Sequence, residues 1–192
     1  NRLITYYLKT SRTNIALYEV QNMLKEAQEE DDKTGLSRCY NIMSQIYTIK
    51  RFDSMAFEWR LKEIELTEKY KIENYNISQT YAQIANYYIN QKKQKEALAA
   101  VEKAIATANS STQQISAKLE FVNYYSKFGD FQAAEKLLKE CQTAFEQDKR
   151  LESIKKRLYN IECLYYQQTK QYQKALEAAK MQEKEERRLS ES

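Results

Sequence analysis

The chain of 192 residues contains no histidine and no proline, and its only glycines are Gly35 and Gly129. Without histidine it lacks the side chain most used as a general base and metal ligand near neutral pH. Its three cysteines, Cys39, Cys141 and Cys163, therefore have no imidazole to activate them. Two glycines cannot build a phosphate-cradling loop, and a strand-rich protein would need more turn glycines. The missing proline removes the strongest helix breaker along the whole length. Cysteine is odd in number and forms no C-x-x-C pair, which speaks against a disulfide framework. All three thiols fall on apolar stripes, where they act as small hydrophobes, and the chain leans toward a reducing, cytoplasmic setting, with the periplasm as the alternative. No apolar run approaches the roughly 18 residues that a membrane span requires. These absences leave a helical chain with no catalytic centre, cofactor or metal to expect.

The charge that is present is nearly balanced. Thirty-one basic and 27 acidic residues give a net +4, spread along the sequence, which predicts neither a nucleic-acid nor a membrane partner. The densest basic cluster is Lys149, Arg150, Lys155, Lys156 and Arg157. If helical, Lys149, Arg150, Lys156 and Arg157 would share one face; an intervening turn would separate them, and solvated helix ends are the simpler reading. The acidic run Glu29-Glu30-Asp31-Asp32 before Gly35 likewise reads as a solvated helix end.

What the chain does have is a repeat. A small or flexible residue recurs at Ala16, Met55, Ala97, Ala134 and Ala175, at intervals of 39, 42, 37 and 41 residues. Nine positions earlier stand Tyr7, Ile46, Tyr88, Tyr125 and Tyr166, and four positions later Val20, Trp59, Val101, Leu138 and Ala179. Units of about 40 residues cannot bury an apolar face alone and must stack, so the recurrence predicts a solenoid. In the third unit, Tyr81, Ile84, Ala85 and Tyr88 form one helical stripe, Asn90 to Lys95 a turn, and Ala97, Leu98, Val101, Ala104 and Ile105 a second stripe. The fourth unit repeats this around the turn Lys127-Phe128-Gly129-Asp130, with Gly129 supplying backbone freedom and Asp130 positioned to cap the following helix. Ser111 with Gln114 has capping-box spacing for the fourth unit's first helix.

These residues resemble the tetratricopeptide repeat (TPR). The stretches Tyr125 to Cys141 (YSKFGDFQAAEKLLKEC) and Tyr172 to Ala179 (YQKALEAA) carry the likeness, and about five units cover nearly the whole chain. The units depart from the usual 34-residue length and lack the family's proline after the second helix. Longer helices or loops would absorb the extra residues. The resemblance implies an all-α fold, an α-α superhelix of helix-turn-helix repeats at roughly 1–30, 36–70, 78–108, 115–147 and 156–187, forming a single domain over 1–192. It also implies a non-enzymatic interaction module whose first helices line a concave groove for a protein or peptide ligand. Because the sequence begins at Asn1 inside a repeat and ends in a charged stretch, it is expected to be part of a longer regulatory or signal-transduction protein. The competing expectation is a spacer or homodimerising scaffold.

Eleven residues before each anchor, where the resemblance places groove positions, stand Thr5, Ser44, Asn86, Asn123 and Leu164. Asn86 and Asn123 fall in adjacent units, and an amide side chain can pair with both the C=O and the N–H of a peptide backbone. They would either capture such a backbone or bridge neighbouring helices. In the first case, alanine at both positions would abolish binding without lowering the melting temperature. The same face is expected to carry Tyr40, Tyr47, Gln79, Gln83, Asn90, Glu120, Lys127, Asn160 and Gln167. Four residues before the two asparagines stand Ala82 and Leu119 rather than lysines, so the family's clamp for terminal carboxylates is not expected.

Overall fold

The computed structural model describes residues 2–191, and among these every regular element is helical. The elements fall into two compact units, Asn1–Tyr75 and Asn76–Ser192. The first holds α1 (Arg2–Lys9), α2 (Thr13–Glu29), α3 (Lys33–Ile49) and α4 (Asp53–Tyr70). The second holds α5 (Ile77–Asn90), α6 (Gln94–Thr107), α7 (Ser111–Lys127), α8 (Phe131–Gln147), a 3-10 turn (Lys149–Ile154), α9 (Lys155–Gln168) and α10 (Tyr172–Ser190). Odd-numbered helices are the first members of hairpins and even-numbered helices the second. The residues beyond the 34-residue norm are taken up by helix length, α2, α3, α7 and α8 each running 17 residues, and by the connections at 71–76 and Lys149–Ile154.

All five hairpin turns close in the same way. In the fourth, the Asp130 N–H donates to the Tyr125 carbonyl at 2.9 Å, and the Ala134 N–H donates to the Asp130 carbonyl at 3.0 Å. Between them Gly129 adopts φ +86°, a left-handed conformation natural to glycine. The other four turns make the same pair of bonds, with Ser11, Arg51, Lys92 and Lys170 in the left-handed position. Each turn is thus a tyrosine, a left-handed residue four later, and an alanine five after that: Tyr7/Ala16, Tyr47/Ala56, Tyr88/Ala97, Tyr125/Ala134 and Tyr166/Ala175.

This frame corrects the second unit. Met55 is 41 % exposed, whereas Ala56 is 1 % exposed and occupies the close-approach position. The anchors therefore recur at 40, 41, 37 and 41 residues. Four residues beyond Ala56 is not Trp59 but Arg60, buried where the first, third and fourth hairpins place Val20, Val101 and Leu138. Its guanidinium donates to Thr48 Oγ1 at 2.6 Å. Desolvation lowers its pKa, partly offset by the charges of Glu63 and Asp53.

The capping box is also displaced by one residue. Ser110, not Ser111, caps α7 by accepting from the Gln113 N–H at 3.2 Å, while Gln113 Oε1 accepts from the Asn109 N–H at 3.1 Å. Ser111 is drawn away to Asp148, at 3.3 Å. Asp130 caps α8 as expected, accepting from the Ala133 N–H at 3.1 Å. Asp32, within the acidic run, caps α3 by accepting from the Gly35 N–H at 2.9 Å.

Each unit has its own core. In the first, Ile4, Ala16, Val20, Cys39, Met43 and Ile46 cluster, with Leu17, Met23 and Tyr47 against them. In the second, Leu119, Val122, Ala134, Leu138, Cys141, Leu158, Ile161 and Tyr165 are the centre of a cluster joining α7, α8 and α9. Cys39 and Cys141 are buried, and Cys163 is half-buried. Among the described residues no helix is long and apolar enough to cross a membrane.

Candidate functional site

The second unit brings together polar side chains from three consecutive first helices. α5 packs against α7, and α7 against α9. At their centre is Glu120, whose side chain is 3 % exposed. A carboxylate so placed must be paired and hydrogen-bonded. From α5, Asn86 Nδ2 donates to Glu120 Oε1 at 3.2 Å; from α7 itself, Asn123 Nδ2 donates to the same oxygen at 2.9 Å. From α9, Arg157 donates to Glu120 Oε2 and, through its other terminal nitrogen, to Asn160 Oδ1 at 3.0 Å. Asn90 extends the row at the far end, donating to Asn86 Oδ1 at 3.1 Å. The result is a hydrogen-bonded row, Asn90–Asn86–Glu120–Arg157–Asn160, with Asn123 attached at its centre.

Asn86 bridges α5 to α7 through Glu120, the bridging that was one of the two sequence readings, whereas Asn123 bonds Glu120 within α7. Their amide donors are used on Glu120, so removing them would strip hydrogen bonds from a buried charge. With this geometry, alanine at both positions is predicted to lower the melting temperature, against the sequence expectation. The outward members are Asn90, which is exposed, and Asn160 and Arg157, which are half-buried. Gln79 and Gln83 share the α5 stripe with Asn86 and Asn90 by helical spacing, Lys127 lies one turn beyond Asn123, and Gln167 lies two turns beyond Asn160. Gln79, Lys127 and Gln167 are exposed and outside the hydrogen-bonded row. Ala82 and Leu119, four residues before the two asparagines, are both buried.

Tyr40 and Tyr47 belong to the other unit. Tyr40 is half-buried with its ring centroid 5.5 Å from Trp59, and Tyr47 is the turn tyrosine of the second hairpin, 6.4 Å from Phe52. That unit holds a polar cluster of its own, which sequence reasoning missed. Asn41 Nδ2 lies 3.3 and 3.2 Å from the two carboxylate oxygens of Glu63, which is 1 % exposed. Asn74 also donates to Glu63, at 2.9 Å, and Gln45 donates to Asn41 Oδ1 at 2.6 Å. Ser44, the groove position in the uncorrected frame, is buried and donates to the Asn41 carbonyl at 2.7 Å.

The basic cluster at 149–157 is broken up by pairing. Arg150 lies 2.9 Å from Asp148, Lys155 3.3 Å from Glu152 and Lys156 2.8 Å from Glu186, while Arg157 is held by Glu120. The Arg150 guanidinium and backbone N–H hold the Asp148 carboxyl down at about 2. Among the described residues no group of three or more Cys, Asp or Glu side chains could hold a metal ion.

No protein-family model matches the sequence, and no curated protein matches it. Among solved structures the chain is similar to BtubC (BKLC) from P. vanneervenii, with TM-score 0.70 and 15 % identity over 95 % of this chain and 76 % of that one. It is also similar to a putative kinesin light chain from Podosopora anserina with nearly identical TPR-like repeats, at TM-score 0.65 and 15 % identity over 100 % and 95 % of the two chains. A variant of that protein gives TM-score 0.67 over 100 % and 94 %. At this identity the likeness establishes the fold, an all-α, TPR-like helical repeat.

Proposed function

We propose that the chain is a non-enzymatic protein- or peptide-binding scaffold, and that the first-helix face of the 76–192 unit receives an extended segment. The observation that carries this reading is the row from Asn90 to Asn160. It fixes three successive first helices through a buried carboxylate and so holds the amides at its ends, and the Gln79, Gln83 and Gln167 amides beside it, on rigid elements. Amides on rigid helices can pair with a peptide backbone at little ordering cost. The Arg157 charge is already engaged by Glu120, so the face is suited to an internal, uncharged stretch of peptide rather than to a terminal carboxylate. A role as one solenoid within a larger regulatory protein is part of this proposal and rests on the fold alone.

The test is selection from a random peptide library on the whole chain, followed by affinity measurement with Asn90→Ala and Asn160→Ala. The substitutions should weaken the selected peptides about tenfold, roughly the loss of one or two hydrogen bonds. Peptides that bind both variants as tightly as the parent would remove the assignment of this face.

A further inference from the structure

The common register of the hairpins shows which positions face water in every one of them. Seven residues before each anchor alanine stand Lys9, Ile49, Asn90, Lys127 and Gln168, all exposed. Two residues after it stand Tyr18, Glu58, Ala99, Lys136 and Glu177, again all exposed. The register sets this exposure, for the later hairpins as for the first. The Asn1–Tyr75 unit nevertheless puts Tyr18 and Ile49 at such positions, and Ile15, Phe52 and Met55 beside them, all between 41 and 63 % exposed. Where Met55 and Ile15 stand, α6, α8 and α10 have Glu96, Ala133 and Lys174; where Phe52 stands, their turns have Lys93, Asp130 and Gln171. The 76–192 unit exposes a sparser set, Phe131, Tyr172 and Leu176, around its three turns.

The five apolar side chains gather around one bond. Lys50 Nζ donates to Asn14 Oδ1 at 2.9 Å, which ties the second turn to the start of α2. Ile15 follows Asn14, and Tyr18 lies one helical turn from it on the same side. Ile49 precedes Lys50, and Phe52 and Met55 stand at the start of α4. Charge of one sign surrounds them. Lys9, Arg12 and Arg51 are exposed and Lys50 is half-buried, while Asp53 is the only acidic residue within 9–18 and 49–55. Among the described residues none of these four cations stands in an ion pair. The exposed acidic run Glu29-Glu30-Asp31-Asp32 lies at the other end of the 17-residue α2, about 25 Å away. Net charge alone predicts no membrane partner; the fold concentrates cations and apolar side chains at one end of this unit.

We propose that this end of the Asn1–Tyr75 unit rests on an anionic lipid surface. Tyr18, Ile49, Phe52 and Met55 enter the headgroup layer, and Lys9, Arg12, Lys50 and Arg51 meet its phosphates and carboxylates. Charge complementarity selects the anionic surface, and the acidic run at the opposite end turns this end toward it. Placement selects a lipid over a peptide: the side chains project from turns and helix starts, and a fluid headgroup layer closes around projecting groups. A patch of exposed apolar side chains rimmed by unpaired cations is what such contact requires. The site belongs to one unit and is independent of the amide row.

The test is co-sedimentation of the whole chain with vesicles of phosphatidylcholine and phosphatidylserine in equal parts, compared with vesicles of phosphatidylcholine alone. The expected result is binding to the mixed vesicles, weakened by salt, and none to the neutral ones. Phe52→Ser with Met55→Ser should weaken it about tenfold through lost apolar insertion. Ile15→Ser with Tyr18→Ser, on α2, should do the same, and is the apolar variant to read where the α4 pair lowers the melting temperature. Lys9→Glu with Arg51→Glu should weaken binding at least about tenfold. Lys92→Glu with Lys170→Glu changes the net charge equally at turns of the other unit, and should weaken it no more than about twofold. The proposal is overturned if the mixed vesicles do not sediment the chain, or if the apolar or the Lys9/Arg51 variants bind as the parent does. It is overturned equally if the Lys92/Lys170 pair loses as much as the Lys9/Arg51 pair. A polyglutamate peptide that binds while the vesicles do not would make the occupant an acidic segment. A dimer in sedimentation velocity that Phe52→Ser with Met55→Ser dissolves would make it a second copy, and either result overturns the proposal.

Discussion

Glu120 shows how one buried charge can organise a polar surface. Its side chain is 3 % exposed, and three helices contribute donors to its carboxylate. Arg157→Ala would leave the charge buried with two amides alone. The expected cost is about 2–3 kcal/mol, at or below the low end for a broken buried pair because Arg157 itself is 30 % exposed. Adding Glu120→Gln in that background should recover part of the loss, and urea denaturation of the three proteins measures both steps. Cys141 gives a second residue-scale prediction. Burial pushes its thiol up to about 12. Its pKa is raised on folding, so above the unfolded value of about 8.5 the unfolded chain releases a proton that the folded chain keeps. The stability contributed by Cys141 is complete below that pH and declines as pH rises toward 12, with a slope approaching about 1.4 kcal/mol per pH unit. Urea midpoints between pH 8 and 10 should show this decline, and Cys141→Ser should reduce it; identical slopes in the two proteins would contradict the assignment.

At the scale of elements, the turns are the most regular feature. Each places one residue in the left-handed conformation, and only the fourth uses glycine. A Cβ at Gly129 would meet nothing within 4 Å, so Gly129→Ala isolates the conformational cost, about 1 kcal/mol. Lys170→Gly, at φ 59°, should act in the opposite sense and stabilise by up to about 1 kcal/mol. Thermal melts of the two variants check the pair, and equal effects would show that the turns are not equivalent. The helices themselves were legible from apolar spacing, and so was the turn at Gly129. The second hairpin was misread by one residue because Ile46 and Met55 are as apolar as the Tyr47 and Ala56 that hold the true positions. Composition could not separate the two frames. The spacing of a tyrosine nine before an alanine, present five times, could have done so. The capping box was displaced for a similar reason, since Ser110 and Ser111 are adjacent and only the competing bond to Asp148 distinguishes them.

For the whole molecule, the sequence made the repeat architecture readable because packing must recur wherever stacking recurs. The polar row was only half legible. Asn86, Asn90, Glu120, Asn123 and Asn160 lie on the correct face by helical periodicity, but Arg157 had been counted with a basic cluster near in sequence. Its partner lies 37 residues away, and no local pattern shows that. The Glu63 cluster was missed for the same reason, with donors from α3 and from the segment after α4. Because each unit has its own core, a fragment comprising 76–192 is predicted to fold alone, with a helical circular dichroism spectrum and a cooperative melt. A spectrum of an unfolded chain would show that the row needs more than its own unit.

The most direct test of the binding face is a two-dimensional NMR titration of the isotopically labelled whole chain with a library-selected peptide, read at the side-chain amides. The account predicts that the largest shifts fall on Asn90 and Asn160 and on the backbone of α5, α7 and α9. Shifts confined to α6, α8 and α10, with those amides unmoved, would contradict it.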